Sequence, residues 1–93
     1  MDQRIAAKGE VDLAAAPDLL RRLDEAIDAT PGGLVEVDFA AVTFIDSSGL
    51  GVLVAARKRA HAGGGHFSVV NVRTSVQPVF EITGLDKVLF QLV

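Results

Sequence analysis

The stretch Phe44-Ile45-Asp46-Ser47-Ser48-Gly49-Leu50-Gly51 decides the fold. Upstream, Val42, Thr43, Phe44 and Ile45 form a short apolar run. It ends in Asp46-Ser47-Ser48-Gly49, small polar residues suited to opening a helix, because a short side-chain oxygen accepts from first-turn amides. Downstream, Leu50, Leu53 and Val54 supply an inner helical face, and Arg57, Lys58 and Arg59 near the C-terminal end complement the helix dipole. Ala60, His61 and Ala62 close this helix before Gly63-Gly64-Gly65. The chain thus passes from strand to helix through two adjacent hydroxyls.

Two readings of that entry stand side by side. In one, Asp46, Ser47 and Ser48 cap the helix and the glycines let it pack on the sheet. In the other, the entry is a docking site. Two adjacent serines exceed what a single cap requires. The first turn presents unpaired N–H groups and a positive dipole end. Gly49 and Gly51 keep the surface low, so that another protein's backbone can approach.

Working outward, Val35, Val37 and Phe39 alternate with Glu36 and Asp38, the pattern of a strand with one buried face. Before it, Leu20, Leu23 and Ile27 make one face of an amphipathic helix of about three turns. Arg21, Arg22, Asp24, Glu25 and Asp28 lie mainly on its other side, Pro17 near its start, and Thr30-Pro31-Gly32-Gly33 at its end. Arg4 to Val11 reads as a first strand interrupted by Gly9, with Asp12 as a turn residue or cap. After the glycine run, Phe67, Val69, Val70 and Val72 predict a strand buried on both faces, as in a parallel sheet. Thr74 or Ser75 would cap a short helix through Val76, Val79, Phe80 and Ile82, with Pro78 close to its start and Gly84 at its end. Val88, Leu89, Phe90 and Leu92 read as a final strand. The alternation of strands and helices predicts an α/β fold, a mixed and mainly parallel sheet covered by amphipathic helices.

Composition narrows the function. The 93 residues suit one domain, and 49% are hydrophobic. Nine Lys+Arg against 12 Asp+Glu give a net charge of −3, without the positive surface that direct nucleic-acid binding needs. There is no cysteine for thiolate chemistry or disulfides. No apolar run reaches the roughly 20 residues of a membrane helix, and Met1 to Arg4 lacks a signal-peptide core. A cytoplasmic protein without membrane insertion is expected. His61 and His66 match no recognised metal spacing, and Gly63-Gly64-Gly65 lacks the Lys-Ser/Thr of a phosphate loop. No Ser-His-Asp arrangement is discernible, so neither a metal, nor a cofactor, nor an enzymatic activity is expected.

The chain resembles the STAS domain proteins, and among them the bacterial anti-sigma factor antagonists. The resemblance runs from about Gly9 to the end. It is carried by Phe44-Ile45-Asp46-Ser47-Ser48-Gly49-Leu50-Gly51, by Gly9-Glu10-Val11-Asp12, by Asp38, by Ser75-Val76 and by Thr83-Gly84-Leu85-Asp86-Lys87-Val88. It implies one STAS-like domain over residues 1–93 that binds an anti-sigma factor serine kinase and is released by phosphorylation. A PP2C-type serine phosphatase restores binding. The family's phosphoacceptor maps onto Ser47 and its motif aspartate onto Asp46. Asp12 maps onto an early acidic contact, Ser48 onto a second serine with a capping role, and Gly49, Leu50 and Gly51 onto the start of the recognition helix. Family members commonly carry a further N-terminal strand. Only eight residues precede Gly9 here, which leaves two readings open: a shortened sheet, whose exposed edge favours pairing with a second copy as a homodimer, or further residues ahead of Met1. The alternative within the family is a subunit or scaffold of a transporter or larger signalling complex, with Ser47 unmodified.

Overall fold

Val35, Val37 and Phe39 point to one side of a central strand and are fully or almost fully buried, while Glu36 and Asp38 on the other side are ion-paired to Arg4. That alternation builds the sheet. The computed structural model describes residues 2–90. Its elements are β1 (Gln3–Val11), α1 (Ala16–Asp28), β2 (Leu34–Ile45), α2 (Ser47–Ala62), β3 (His66–Val70), α3 (Gln77–Thr83) and α4 (Asp86–Leu89). The three strands lie in the order β1-β2-β3, and both pairs are parallel. Parallel neighbours need crossovers, which α1 and α2 supply. The fold is therefore α/β with a parallel sheet, and no antiparallel pairing occurs among the described residues. No described helix is long and apolar enough to cross a membrane.

The alternating run 35–39 and the apolar run 42–45 are one strand, continuous through Ala40-Ala41. β2 has register shifts opposite Ala6/Lys8 and Gly9/Glu10, each leaving one extra residue in β2. After the first shift the buried positions become Val42 and Ile45, and the two-residue alternation is lost. Asp38 stabilises the irregularity. Its Oδ1 accepts from the Ala40 amide at 2.9 Å and from Asn71 Nδ2 at 3.3 Å.

α1 and α2 pack side by side. Arg59 of α2 reaches the Asp24 carbonyl at 3.1 Å and the Asp28 carboxylate at 2.6 Å. Arg59 of the basic run thus ties α2 to α1 while its side chain stays exposed to solvent. The buried side of α1 is Ala16, Leu19, Leu23 and Ala26, with Leu20 and Ile27 at its margins. The face is rotated from the one drawn through Leu20, Leu23 and Ile27, because small alanines let the helix come close. In α2 the inner residues are Leu50, Val52, Leu53, Ala56 and Ala60, with Val54 half-buried. β3 buries Phe67, Ser68 and Val69 in succession, as its dense apolar run predicts.

Three expectations at the C-terminal end are corrected. α3 has no side-chain cap from Thr74 or Ser75. Its entry is instead held by a turn onto the Arg73 carbonyl and by Gln77 Nε2 donating to Val72 O at 3.0 Å. Ile82 faces outward rather than into the core. The final strand is not formed by Val88 and Leu89, which lie in α4. Gly84, at φ 74°, ends α3 in the left-handed region and turns the chain into α4. Leu89 is thereby fully buried, and Phe90 stacks 5.0 Å from Phe80, which meets Phe39 edge-on at 6.0 Å. Leu92 lies outside the described residues.

Candidate functional site

Val11 and Ile45 pair in register at the carboxyl ends of β1 and β2, and the Asp46 amide donates to the Val11 carbonyl at 3.3 Å. Asp12 and Asp46 are the residues that follow. Neighbouring strands lie about 4.8 Å apart, so the two turns emerge side by side. Each aspartate ties down its own turn. Asp12 Oδ1 accepts from the Ala15 amide at 3.1 Å, and the Asp12 carbonyl accepts from the amides of Ala15 and Ala16 at 3.1 and 2.9 Å. Asp46 has extended backbone and is the N-cap of α2. Its Oδ1 accepts from the Ser48 amide at 2.9 Å and the Gly49 amide at 3.1 Å.

This arrangement divides the work of the DSSG entry. One carboxylate oxygen satisfies two first-turn amides, so the cap needs neither hydroxyl. Ser48 contributes its amide rather than a capping oxygen, which corrects the capping role expected for its side chain. Ser47 is the first residue of α2 and is exposed, and Ser48 is half-buried. Among the described residues, neither hydroxyl takes part in a hydrogen bond.

The two glycines also part company. A Cβ on Gly49 would lie 2.4 Å from the Val11 carbonyl oxygen and 2.8 Å from both Ile45 Cγ1 and Val11 Cγ1. Gly49 is therefore a packing residue inside the fold and not part of a low outer surface, as the sequence had suggested. A Cβ on Gly51 would meet nothing within 4 Å, and Gly51 is exposed. Ser47 and Gly51 are four residues apart and share one face of the helix. Leu50 is buried beneath the first turn. Of the predicted site residues, Ser47, Gly51 and the margins of Asp12, Asp46 and Ser48 thus reach the surface, and Gly49 and Leu50 support it from below.

Leu13, which carries no signal in the sequence, and Phe44, which opens the motif, are exposed large apolar side chains on the same two chain segments. Leu13 follows Asp12 and is 74% exposed, and Phe44 lies two residues before Asp46 and is 48% exposed. Phe44 pairs with Glu10 across the second register shift, which carries its side chain away from the core. Nothing in a short apolar run marks that shift. Away from the site, Asp38 serves the bulge of β2, and its two donors together with Arg4 hold its carboxyl below the usual carboxylate range, the Ala40 amide contributing most. His61 and His66 stack edge-on 6.0 Å apart, and no group of three potential ligands occurs among the described residues.

Known proteins resemble this chain in sequence and in fold. The family model described as "Mlab, STAS domain" matches residues 1–93. The anti-sigma-B factor antagonist of Bacillus subtilis (strain 168) is 31% identical over 88 residues, which span 95% of this chain and 79% of that protein. The crystal structure of an anti-sigma factor antagonist from Mycobacterium paratuberculosis has a TM-score of 0.79 at 28% identity, covering 97% of this chain and 77% of that one. The anti-sigma factor antagonist SpoIIAA in its unphosphorylated form has a TM-score of 0.80 at 24% identity, covering 99% of this chain and 81% of that one, a likeness of fold. The Bacillus cell fate determinant SpoIIAA in its phosphorylated form has a TM-score of 0.70 at 24% identity, covering 97% of this chain and 81% of that one, again a likeness of fold. By sequence and by fold, this chain belongs to the STAS domain family and resembles its bacterial anti-sigma factor antagonists.

Proposed function

We propose that the protein is a non-enzymatic partner switch, an anti-sigma factor antagonist controlled at Ser47. Unmodified, it binds an anti-sigma factor that is also a serine kinase, through the surface formed by Ser47, Gly51 and the turns of Asp12 and Asp46. The kinase transfers the γ-phosphoryl group of ATP to Ser47 Oγ, the complex separates, and a PP2C-type phosphatase removes the group again. These exchanges take place in the cytoplasm.

The observation that carries this reading is the unoccupied Ser47 hydroxyl. It is exposed at the head of α2, while Asp46 alone performs the cap. A phosphate adds about −1.5 to −2 charge. A partner lying flush over Ser47 would have to bury that charge, and the cost would separate the complex.

The test uses the anti-sigma-factor kinases of the protein's own organism, with binding measured by calorimetry and phosphosites mapped by mass spectrometry. Phosphate is expected on Ser47 alone, with none on Ser47→Ala. Phosphorylation and Ser47→Asp are each expected to weaken the complex tenfold or more. Phosphate elsewhere with Ser47→Ala still modified, or equal affinity before and after modification, would refute the proposal. So would constitutive association with a transporter or scaffold while Ser47 stays unmodified.

A further inference from the structure

The join between α2 and β3 brings two imidazoles together. His61 stands in the last turn of α2 and His66 opens β3, with Ala62 and three glycines between them. Their rings lie edge to face, with centroids 6.0 Å apart and planes at 80°. Both residues are exposed. The sequence hides this meeting, because the pair has neither the spacing of two ligands on one helix nor that of two on one strand.

The backbone beneath the pair is fixed at several points. The Gly65 amide donates to the Ala60 carbonyl at 2.9 Å, the Gly64 amide to the His61 carbonyl at 3.0 Å, and the His66 amide to the Gly33 carbonyl at 2.9 Å. A Cβ on Gly65 would lie 2.6 Å from the Gly33 carbonyl oxygen, so the turn is drawn tightly onto the loop before β2. The two histidines are thus neighbours before any ligand arrives, and little backbone freedom remains to be lost on binding.

Neighbouring imidazoles are a ligand set for late first-row divalent cations, whereas magnesium and calcium favour oxygen. An ion about 2.0 Å from a ring nitrogen stands about 3.2 Å from the ring centre, so two rings on one tetrahedral ion have centres about 5 Å apart. The 6.0 Å found here closes to that value by rotation about the side-chain bonds of two exposed residues. The local charges permit a cation. His61 lies at the C-terminal end of α2, where the helix dipole favours positive charge. Arg59, in the same turn, is paired with Asp24 and Asp28. Arg57 and Lys58, one turn back, oppose the ion and limit its affinity.

We propose that His61 and His66 form a two-imidazole site for a late first-row divalent cation, of the class of Zn²⁺, Ni²⁺ and Cu²⁺, which ties the end of α2 to the start of β3. Water completes the coordination, since no group of three potential ligands occurs among the described residues. The ion favours the folded chain, where the two rings are held side by side. His61 lies roughly 20 Å along α2 from Ser47, at 1.5 Å per helical residue, and the site does not depend on the function proposed above.

The experiment titrates the protein, carrying no histidine tag, with Ni²⁺, Zn²⁺, Cu²⁺ and Mg²⁺ by calorimetry. It compares the wild type with His61→Gln and His66→Gln, and follows thermal unfolding with and without each ion. Both positions are exposed, so glutamine leaves the fold in place. One equivalent of each late metal is expected to bind, Cu²⁺ tightest, and to raise Tm by several degrees at saturation, while Mg²⁺ does neither. Each substitution is expected to weaken binding tenfold or more and to remove the rise in Tm. In the wild-type protein, a trace of Cu²⁺ should broaden the ring NMR signals of both histidines before any others. No binding at millimolar Ni²⁺ or Zn²⁺, undiminished binding in either variant, or broadening that begins elsewhere would overturn the proposal. A wild-type Tm that no metal moves, with both substitutions lowering it, would reduce the pair to a stacking contact and overturn the proposal as well.

Discussion

Replacing the two glycines of α2 one at a time should move stability and binding in opposite directions. At Gly51 a new side chain projects into open space, and the position is helical. Glycine in a helix interior is about 1 kcal/mol less favourable than alanine. Gly51→Ala and Gly51→Gln should therefore stabilise the protein by roughly 0.5–1 kcal/mol, a rise in Tm of about 2–8 °C for a domain of this size. At Gly49 the added carbon would sit 2.4 Å from a backbone carbonyl oxygen and 2.8 Å from two side-chain carbons. That carbonyl belongs to Val11 and already accepts from the Asp46 amide, so relief must come from moving α2 away from β1. Overpacking of this kind costs about 1–3 kcal/mol, and the rigid neighbour puts Gly49→Ala at the upper end. Thermal and urea unfolding read the stability, and titration with the kinase reads the binding. Gly51→Gln should be more stable than wild type and bind at least tenfold more weakly, because its side chain stands where the partner's backbone is proposed to lie. A variant that is both more stable and fully competent to bind would refute the docking surface. A Gly49→Ala protein of unchanged stability would refute the close packing of α2 on β1.

Asp46→Ala removes the acceptor for the Ser48 and Gly49 amides and should cost about 1–2 kcal/mol in urea unfolding, whereas Asp46→Asn, which keeps an oxygen in place, should retain most of it. Equal loss in both would mean that the carboxylate charge, not the cap geometry, matters. Asp38 has a depressed carboxyl pKa in the folded state, so its contribution is present above its unfolded pKa and is lost as pH falls through the lower folded value. Asp38→Asn should flatten the stability–pH curve between about pH 4 and the acid limb, and an unchanged curve would refute the assignment.

Much of the α/β order is legible because two local signals agree. Val35, Val37 and Phe39 alternate as a strand must, and Asp46 stands where a helix cap must. What the sequence hides depends on partners far along the chain. Gly49 and Gly51 look alike in the stretch SSGLG, and only the position of the Val11 carbonyl separates the packing glycine from the exposed one. Continuity of β2 through Ala40-Ala41 depends on Asp38 capturing the Ala40 amide and on β1 supplying a shifted partner. The run Val88-Leu89-Phe90 is equally apolar in a strand or a helix, a short-run ambiguity that periodicity does not resolve. Phe80 decides it, since α4 delivers Leu89 and Phe90 to the core beside that ring. Of the candidate site, the motif points to Ser47 and Asp46, but the split between capping carboxylate and idle hydroxyl is visible only in the hydrogen bonds. Leu13 and Phe44 carry no periodic signal at all.

The magnitudes explain why a charge on Ser47 can act on a complex while sparing the fold. Beside Asp46, at about 6 Å in water, each added unit of charge costs roughly 0.7 kcal/mol before screening, and salt reduces that further. The positive end of α2 returns about 0.3–1 kcal/mol for an anion at its first turn. The cap itself is not contested, because Asp46 and not Ser47 holds the Ser48 and Gly49 amides. These terms nearly cancel, so the phosphorylated domain should unfold within about 1 kcal/mol of the unmodified one. Under a docked partner the water that screens the charge is gone, and an unpaired ion costs several kcal/mol to bury. The imbalance between those two environments arises from the placement of the capping oxygen one residue before the hydroxyl. Had Ser47 been the cap, its modification would alter the helix entry and the interface together.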